Sequence, residues 1–172
     1  MRARLAAAVE RLRPVASGVV WVARDNVHVT LKFLGSVETA RLGDVERALA
    51  TAVADHGAFD LDVRGLGAFP SNTRPRVLWA GVGAGAADVT TLAARTDETL
   101  AALGFPREAR PFAAHVTLGR VREPRVDPGF GQALSAAEAF GCVRIGQVSL
   151  MRSQLSPRGA RYTVLAHLPL RD

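Results

Sequence analysis

The tetrapeptide His-Val-Thr-Leu occurs twice in the sequence, at residues 28–31 and 115–118. Each copy lies in a stretch that is predicted to be a β-strand. Because successive side chains of a strand point to opposite faces, each copy places its histidine and threonine on one face and its aliphatic residues on the other. Two of the four histidines in the chain carry the same three following residues. We therefore expect His28 and His115 to act together in one site.

Two imidazoles can supply a general base and a general acid to one reaction, since histidine changes its charge near neutral pH. The pair suits displacement at phosphorus, where one group takes a proton from the nucleophile and the other gives a proton to the leaving oxygen. The hydroxyls of Thr30 and Thr117, together with backbone N–H groups, would hold the non-bridging phosphate oxygens. A metal centre needs further histidine or carboxylate ligands at suitable spacing, and threonine is a poor ligand. We expect neither a metal nor a cofactor.

The other two histidines are expected to be structural or surface residues. His56 precedes Gly57 at the end of a predicted helix, where the helix dipole favours a cation. His167 lies in the last predicted strand, with no polar residue two positions further along. Neither is part of a repeated motif, so neither is assigned a role in the chemistry.

The elements that must position these residues follow from the hydrophobic periodicity, from glycine and proline, and from turn residues. Helices are predicted over residues 2–13, 37–56, 88–103 and 132–140. Strands are predicted over residues 18–23, 27–34, 59–69, 76–82, 114–121, 143–152 and 161–168, with a hairpin turn at 156–159. This order, with short connections, indicates an α+β fold.

Composition excludes several other classes of protein. A chain of 172 residues with 48% hydrophobic residues is expected to form one domain with its own core. Its single cysteine, Cys142, excludes a disulfide framework and a cysteine-based zinc cluster, which suits a reducing, cytoplasmic location. No apolar run reaches the roughly 18 residues of a membrane span. The net charge of +6 favours an anionic partner such as a nucleic acid.

The two copies and their surroundings resemble a known family. The segments H-V-T-L-K-F (28–33) and H-V-T-L-G-R (115–120) are similar to the two signature motifs of the 2H phosphoesterases, in particular the bacterial RNA 2′,3′-cyclic phosphodiesterases, also called 2′-5′ RNA ligases. Further matching segments flank them: Trp21-Val22 with Asn26, then 65–70, 74–81, 110–112 and 153–162. The likeness extends from about residue 4 to residue 170.

The resemblance implies a fold as well as an activity. The fold has two pseudo-symmetric α+β lobes, each an antiparallel sheet with helices on the outside, around a central groove, in one domain over residues 1–172. The family normally opens with a strand before its first helix, and we expect that strand to be missing here. The activity is metal-independent hydrolysis of an RNA-terminal 2′,3′-cyclic phosphate to a 2′-phosphate, with weak reverse 2′-5′ ligation. The implied partner is RNA with such an end, for example a tRNA-like fragment, and we expect a monomer.

The resemblance also assigns roles to residues. The first histidine of the family gives a proton to the O3′ leaving group, which corresponds to His28, and the second activates water, which corresponds to His115. The other implied site residues contact the substrate: Thr30 and Thr117 at phosphate oxygens, Arg120 at phosphate or nucleotide, and Phe33 along the wall of the site.

Strand alternation places two of these residues on the wrong face. Arg120 reaches the face of His115 only if the strand has a bulge or kink, and Gly119 is where one forms most easily. Phe33 alternates in step with Val29 and Leu31, so its side chain is expected on the aliphatic face of the strand. It is expected to be a core residue whose edge reaches the site. Trp21 and Trp79 lie in apolar runs and are also expected in the core.

Two other functions are open at this point. One is a 2H phosphodiesterase for a small nucleotide, such as a cyclic ADP-ribose phosphate or a 2′-5′ oligoadenylate. The other is a non-catalytic module that binds RNA ends, with the histidines as hydrogen-bond donors, which would show salt-sensitive RNA binding without turnover.

Overall fold

The structure is a computed structural model that describes residues 1–122, 129–135, 137–156 and 159–172. Its α-helices are α1 (Arg2–Leu12), α2 (Leu42–Val53), α3 (Ala86–Ala101) and α4 (Phe130–Leu134). Its strands are β1 (Val19–Trp21), β2 (Phe59–Phe69), β3 (Val77–Val82), β4 (His115–Val121), β5 (Ala139–Ile145), β6 (Gln147–Ser156) and β7 (Gly159–Pro169). None of the helices in these ranges is long and apolar enough to cross a membrane.

The strands form two antiparallel sheets of unequal size. The larger sheet has five strands in the order β1-β4-β3-β2-β5, and the smaller one is a two-stranded ribbon of β6 and β7. Helices and antiparallel sheets are combined in one fold, so the expected α+β class is confirmed. The motif of His115 begins β4, which is an interior strand of the larger sheet.

One apolar core joins the helices to both sheets. Leu5 of α1, Val45 of α2 and Leu92 of α3 are almost fully buried. They belong to the same cluster as Val116 and Leu118 of β4, and the cluster also includes buried leucines of both ribbon strands. The helices thus cover the aliphatic face of β4, and the alternate face, which carries His115, is turned away from this core.

The first motif does not lie in a regular strand. The predicted strand over 27–34 is wrong, because among the described residues this segment makes one isolated bridge, between Val29 and Val116, and no ladder. Alternating β-branched residues favour an extended chain, but a ladder needs a partner of matching length, which the pattern of a single segment does not reveal.

The last quarter of the chain also differs from the prediction. The helix expected over 132–140 ends at Leu134, and Phe140 is instead a fully buried residue of β5. The single strand expected over 143–152 is two strands separated at Gly146, since β5 pairs with β2 and β6 pairs with β7. The hairpin is confirmed by the pairing of Ser156 with Gly159, and residues 157–158 of its predicted turn lie outside the described residues.

Candidate active site

The two His-Val-Thr-Leu segments lie side by side and run in opposite directions. Val29 and Val116, the second residues of the two copies, form an antiparallel bridge. Val116 is buried, and Val29 packs against the same core. The two segments therefore pair at their second residues, and the side chains of Val29 and Val116 are directed toward the core.

This register brings the four polar side chains of the motifs together. Residues that flank a bridged pair point to the opposite face, so His28 lies across from Thr117 and His115 across from Thr30. Directly opposed residues of an antiparallel pair have Cβ atoms about 4.5–5.5 Å apart, and diagonal residues, here His28 and His115, are further apart but still within reach of long and aromatic side chains. All four residues are half-buried.

Both imidazoles are anchored in the same way. Nδ1 of His28 lies 2.6 Å from the carbonyl oxygen of Asn26, and Nδ1 of His115 lies 2.7 Å from that of Ala113. A carbonyl oxygen only accepts hydrogen bonds, so each Nδ1 carries a proton and donates it. The remaining nitrogen, Nε2, is then an acceptor when the ring is neutral and a donor when it is charged, as a base or an acid requires.

Each imidazole also packs against one aromatic ring in an edge-to-face arrangement. The ring of His28 lies 5.0 Å from that of Tyr162 in β7, at an interplanar angle of 74°. The ring of His115 lies 5.1 Å from that of Phe69 at the end of β2, at 87°. Such pairs restrict the orientation of both partners. Each histidine is therefore held by a carbonyl two residues before it and by an aromatic ring from another strand.

A bulge in β4 turns Arg120 to the face of His115. Along β3, Val77 pairs with Arg120 and Leu78 with Gly119, but Trp79 pairs with Thr117, so that β4 contains one extra residue. Val77 and Trp79 share a face, and their partners Arg120 and Thr117 therefore share it too. The irregularity lies where the sequence predicted it, at Leu118-Gly119. Arg120 is exposed on this face.

Gly119 is required at this bulge by the close approach of β1. A Cβ atom built on it would lie 2.6 Å from Cγ1 of Val19 and 3.1 Å from a ring carbon of Trp21. A contact of 2.6 Å requires the Val19 side chain or the strand that carries it to move. The glycine thus lets the strand bend while β1 stays paired to it.

The prediction that Phe33 is a core residue is wrong. Phe33 is 66% exposed. The inward position is taken by Lys32, whose side chain is 3% exposed and whose Nζ lies 2.6 Å from Asp97 Oδ1 and 2.7 Å from the carbonyl oxygen of Pro106. Since Lys32 points inward, the next side chain points out. Phe33 and Arg110 both line an open cleft of about 460 Å³.

The ion pair of Lys32 and Asp97 joins the first motif to the segment that leads into the second. Asp97 also accepts a hydrogen bond from the backbone N–H of Glu108, at 3.0 Å. The hydrogen bond from Lys32 holds the pKa of the Asp97 carboxyl below its ordinary value. The contacts fix residues 106–108 against α3, a few residues before His115.

The two tryptophans take different positions. Trp21 packs against the core as predicted. Trp79 is instead half-buried on the face of Thr117, where its indole lies over Gly67 and its ring centre is 5.2 Å from that of Phe69. The prediction of a core position for Trp79 is wrong because the strand pairing, rather than the apolar run, decides its face. Trp79 supports the ring that contacts His115.

His56 and His167 make contacts of another kind. Nε2 of His56 lies 3.4 Å from Asp88 Oδ1, and its ring packs edge-on against Phe59. Nδ1 of His167 lies 2.8 Å from Gln147 Nε2 in the ribbon. Within the ranges that the structure describes, no three His, Cys, Asp or Glu residues come together as a metal site.

Asn26, Phe69 and Tyr162 are site residues that reasoning from residue chemistry alone missed. All three stand in the flanking segments that carry the family resemblance, so the signal was present in the sequence. An aromatic residue in an apolar strand or an asparagine in a turn has many ordinary roles. Only the tertiary contacts assign them to the histidines.

Comparison with known proteins places this geometry in a family. The model of the LigT-like phosphoesterases matches residues 1–79 and 82–162. A protein of Archaeoglobus fulgidus named RNA 2′,3′-cyclic phosphodiesterase is 34% identical over 159 residues, covering 89% of this chain and 88% of its own length. One of the same name from Thermus thermophilus is 35% identical over 180 residues, covering 99% of this chain and 85% of its own.

Solved structures share the fold. The protein TT0787 of Thermus thermophilus has a TM-score of 0.82 at 29% identity, covering 99% of this chain and 91% of its own. Escherichia coli LigT, solved in complex with 3′-AMP, has a TM-score of 0.80 at 24% identity, covering 99% of this chain and 91% of its own. As the paired motifs predicted, the chain belongs to the LigT-like phosphoesterase family.

Proposed function

We propose that the protein hydrolyses the 2′,3′-cyclic phosphate at the end of an RNA to a 2′-phosphate, with His115 as the general base and His28 as the general acid. The observation that carries this proposal is the Val29–Val116 bridge, which sets two identically anchored imidazoles beside each other on one face. A phosphate between them can be approached by Nε2 of either ring.

The mechanism is a displacement at phosphorus with one proton transfer on each side. His115 Nε2 accepts a proton from water, whose oxygen forms a new bond to phosphorus. The bond from phosphorus to O3′ breaks, and His28 Nε2 gives its proton to O3′. The products are a 2′-phosphate and a free 3′-hydroxyl, and both Nδ1 protons stay with their carbonyl partners. Each proton transfer contributes a factor of roughly 10² to 10⁴ to the rate.

Three further side chains stabilise the charge on the phosphate. The hydroxyls of Thr30 and Thr117 donate to the non-bridging oxygens, and the arrangement supports this because each threonine stands across from the histidine of the other motif. Arg120 adds a positive charge on the same face. In the same site, a 5′-hydroxyl in place of water would give a 2′-5′ linkage, which accounts for a weak ligation.

RNA is the substrate class that the charge and the exposed aromatic residue support. The chain carries a net charge of +6, and the relatives named above are named for RNA substrates. Phe33, exposed beside the cleft, offers a flat apolar surface on which a nucleobase can stack.

The test is product analysis with an RNA oligomer that ends in a 2′,3′-cyclic phosphate. We expect complete conversion to the 2′-phosphate, unchanged by EDTA. A 3′-phosphate product would mean that O2′ rather than O3′ is the leaving group. It would contradict the assignment of His28 as the acid that protonates O3′. Preference for a cyclic mononucleotide, a cyclic ADP-ribose phosphate or a 2′-5′ oligoadenylate over the oligomer would favour the small-nucleotide function. RNA binding without turnover would favour the binding module.

A further inference from the structure

We propose that the ribbon of β6 and β7 positions the His28 ring, through Asn26 and Tyr162. The proposal deepens the proposed function and rests on it, because it concerns how the acid of that reaction is held. His28 and His115 have equivalent anchors, but their backbones are supported differently. His115 begins a strand that pairs with β3 along its length, with His115 itself opposite Gly81, whereas the described backbone around His28 has the single bridge of Val29. The first histidine therefore needs another source of order.

Asn26 connects the His28 ring to the ribbon through two hydrogen bonds, one at its backbone carbonyl and one from its side-chain amide. Its carbonyl oxygen accepts the Nδ1 proton of His28 at 2.6 Å. Its side-chain Nδ2 donates to the carbonyl oxygen of Ala160 in β7 at 3.2 Å, in a partly buried position. The position of the carbonyl that fixes the ring is thus set by a strand from the far end of the chain.

Tyr162 supplies the second contact from the same strand. Tyr162 lies two residues beyond Ala160, so the side chains of these two residues point to the same face of β7. Its ring meets that of His28 edge-to-face at 5.0 Å. Together, the two contacts limit both the translation and the rotation of the imidazole.

The second half of the site shows which part of Tyr162 matters. His115 has the same kind of contact with Phe69, at 5.1 Å, and phenylalanine has no hydroxyl. A ring is therefore enough for this role, and Tyr162→Phe should restore what Tyr162→Ala loses.

The experiment measures kcat and KM of the full chain on the cyclic phosphate RNA for Asn26→Ala, Tyr162→Ala and Tyr162→Phe. Thr163→Ala is the matched control, since Thr163 is the next residue of β7 and is exposed on its other face. Misplacing a catalytic group by about 1 Å costs on the order of 100-fold in rate, so we expect kcat to fall by about 10-fold to 100-fold in the two alanine variants. KM should stay near that of the wild type because the phosphate-binding side chains remain. Tyr162→Phe and Thr163→Ala should keep the wild-type kcat.

A second measurement does not depend on activity. The ¹⁵N shifts of the imidazole nitrogens report which nitrogen carries the proton in the neutral ring. We expect the Nδ1–H form for both histidines in the wild type, and a mixture of forms at His28 alone in Asn26→Ala and Tyr162→Ala. An inactive wild type would contradict the proposed function while leaving this test valid. Unchanged His28 shifts, or equal changes at His28 and His115, would overturn the proposal.

Discussion

A proton held on each Nδ1 suits the two histidines to the roles that we propose for them. The carbonyl oxygens of Asn26 and Ala113 fix that proton by direct hydrogen bonds. The other nitrogen of each ring, Nε2, is the one that the proposed reaction uses, as base in one histidine and as acid in the other. The identical anchoring means that the difference in role comes from which oxygen of the substrate each ring faces.

The threonines can be tested by removing only their hydroxyls. Valine has nearly the shape of threonine, so Thr30→Val and Thr117→Val keep the packing while losing the donor. We expect kcat/KM for cyclic phosphate hydrolysis to fall by roughly 10²-fold to 10³-fold in each, as for the loss of one donor to a developing negative charge. The serine variants, which keep the hydroxyl, are the controls. Wild-type rates in both valine variants would show that the hydroxyls do not bind the phosphate.

At the scale of single residues, the sequence predicted the side chains that are proposed to take part in the reaction. It did not predict Asn26, Phe69 and Tyr162, which contact the two histidines. His28, His115, Thr30 and Thr117 could be predicted to share a face because a repeated motif with period-two alternation defines one. Phe33 was misplaced because its orientation depends on Lys32, whose partners Asp97 and Pro106 are distant in sequence.

At the scale of elements, the bulge of β4 brings its arginine to the site. Strict alternation would turn Arg120 toward the core side, and the extra residue at Leu118-Gly119 turns it back. The sequence indicated where a bulge could form, because glycine tolerates it. It could not show that a bulge forms, since this depends on the register with β3.

Gly119→Ala tests the bulge. The added methyl group would meet Val19 Cγ1 at 2.6 Å, so we expect a loss of about 1–3 kcal/mol in the free energy of unfolding, measured with urea. Val19→Ala removes the clashing atom, and the double variant should lose less than the two single variants together. Gly43→Ala is the control, because its methyl group meets only the end of Arg47 at 3.5 Å. Additive losses would contradict the proposed clash.

The ion pair of Lys32 and Asp97 should show an unequal response to the removal of each partner. Lys32 is 3% exposed and Asp97 is 17% exposed, so Asp97→Asn leaves a buried ammonium whose remaining carboxylate, that of Glu108, is 4.0 Å away, while Lys32→Met leaves a carboxylate that reaches water. We expect Asp97→Asn to cost about 1–3 kcal/mol of unfolding free energy and Lys32→Met clearly less. Equal losses would contradict this reading of the pair.

The same pair predicts a dependence of stability on pH. Folding lowers the pKa of Asp97, so the unfolded chain takes up this proton first as the pH falls. Its contribution to stability is therefore complete above the ordinary carboxyl pKa and is lost as the pH falls through the lower pKa of the folded state. The acid-induced loss of stability should be smaller in Asp97→Asn than in the wild type, as measured by urea unfolding over the acidic range. An unchanged loss would assign the acid sensitivity to other groups.

At the scale of the whole molecule, two unequal antiparallel sheets share one core and meet at the site. The larger sheet carries His115 and its aromatic partner, and the ribbon contributes the aromatic partner of His28. The α+β class could be predicted from the order of elements. The division of residues 139–156 between the two sheets could not, because strand-like alternation of apolar and polar residues stands on both sides of Gly146 and this one residue separates the two strands.

The net charge of +6 also belongs to this scale, and the salt dependence of KM is the measurement that distinguishes RNA from a small nucleotide. Each phosphate contact along a single strand contributes about 0.7 to the slope of log affinity against log salt, so two to three contacts raise KM for an RNA oligomer roughly 10-fold between about 50 and 200 mM salt. A cyclic mononucleotide, with one phosphate, should respond much less. Equal salt dependence for both substrates would show that the protein does not contact the RNA beyond its terminal nucleotide.

The most direct test of the acid and base roles is the pH dependence of the rate in the wild type and in two single variants. A base must be neutral and an acid must be protonated, so the wild-type rate should rise and then fall with increasing pH. His115→Ala should lose the rising limb and His28→Ala the falling limb, each at a rate lower by roughly 10² to 10⁴. A wild-type profile with one limb, or the same two limbs in either variant, would contradict the assignment of the two histidines.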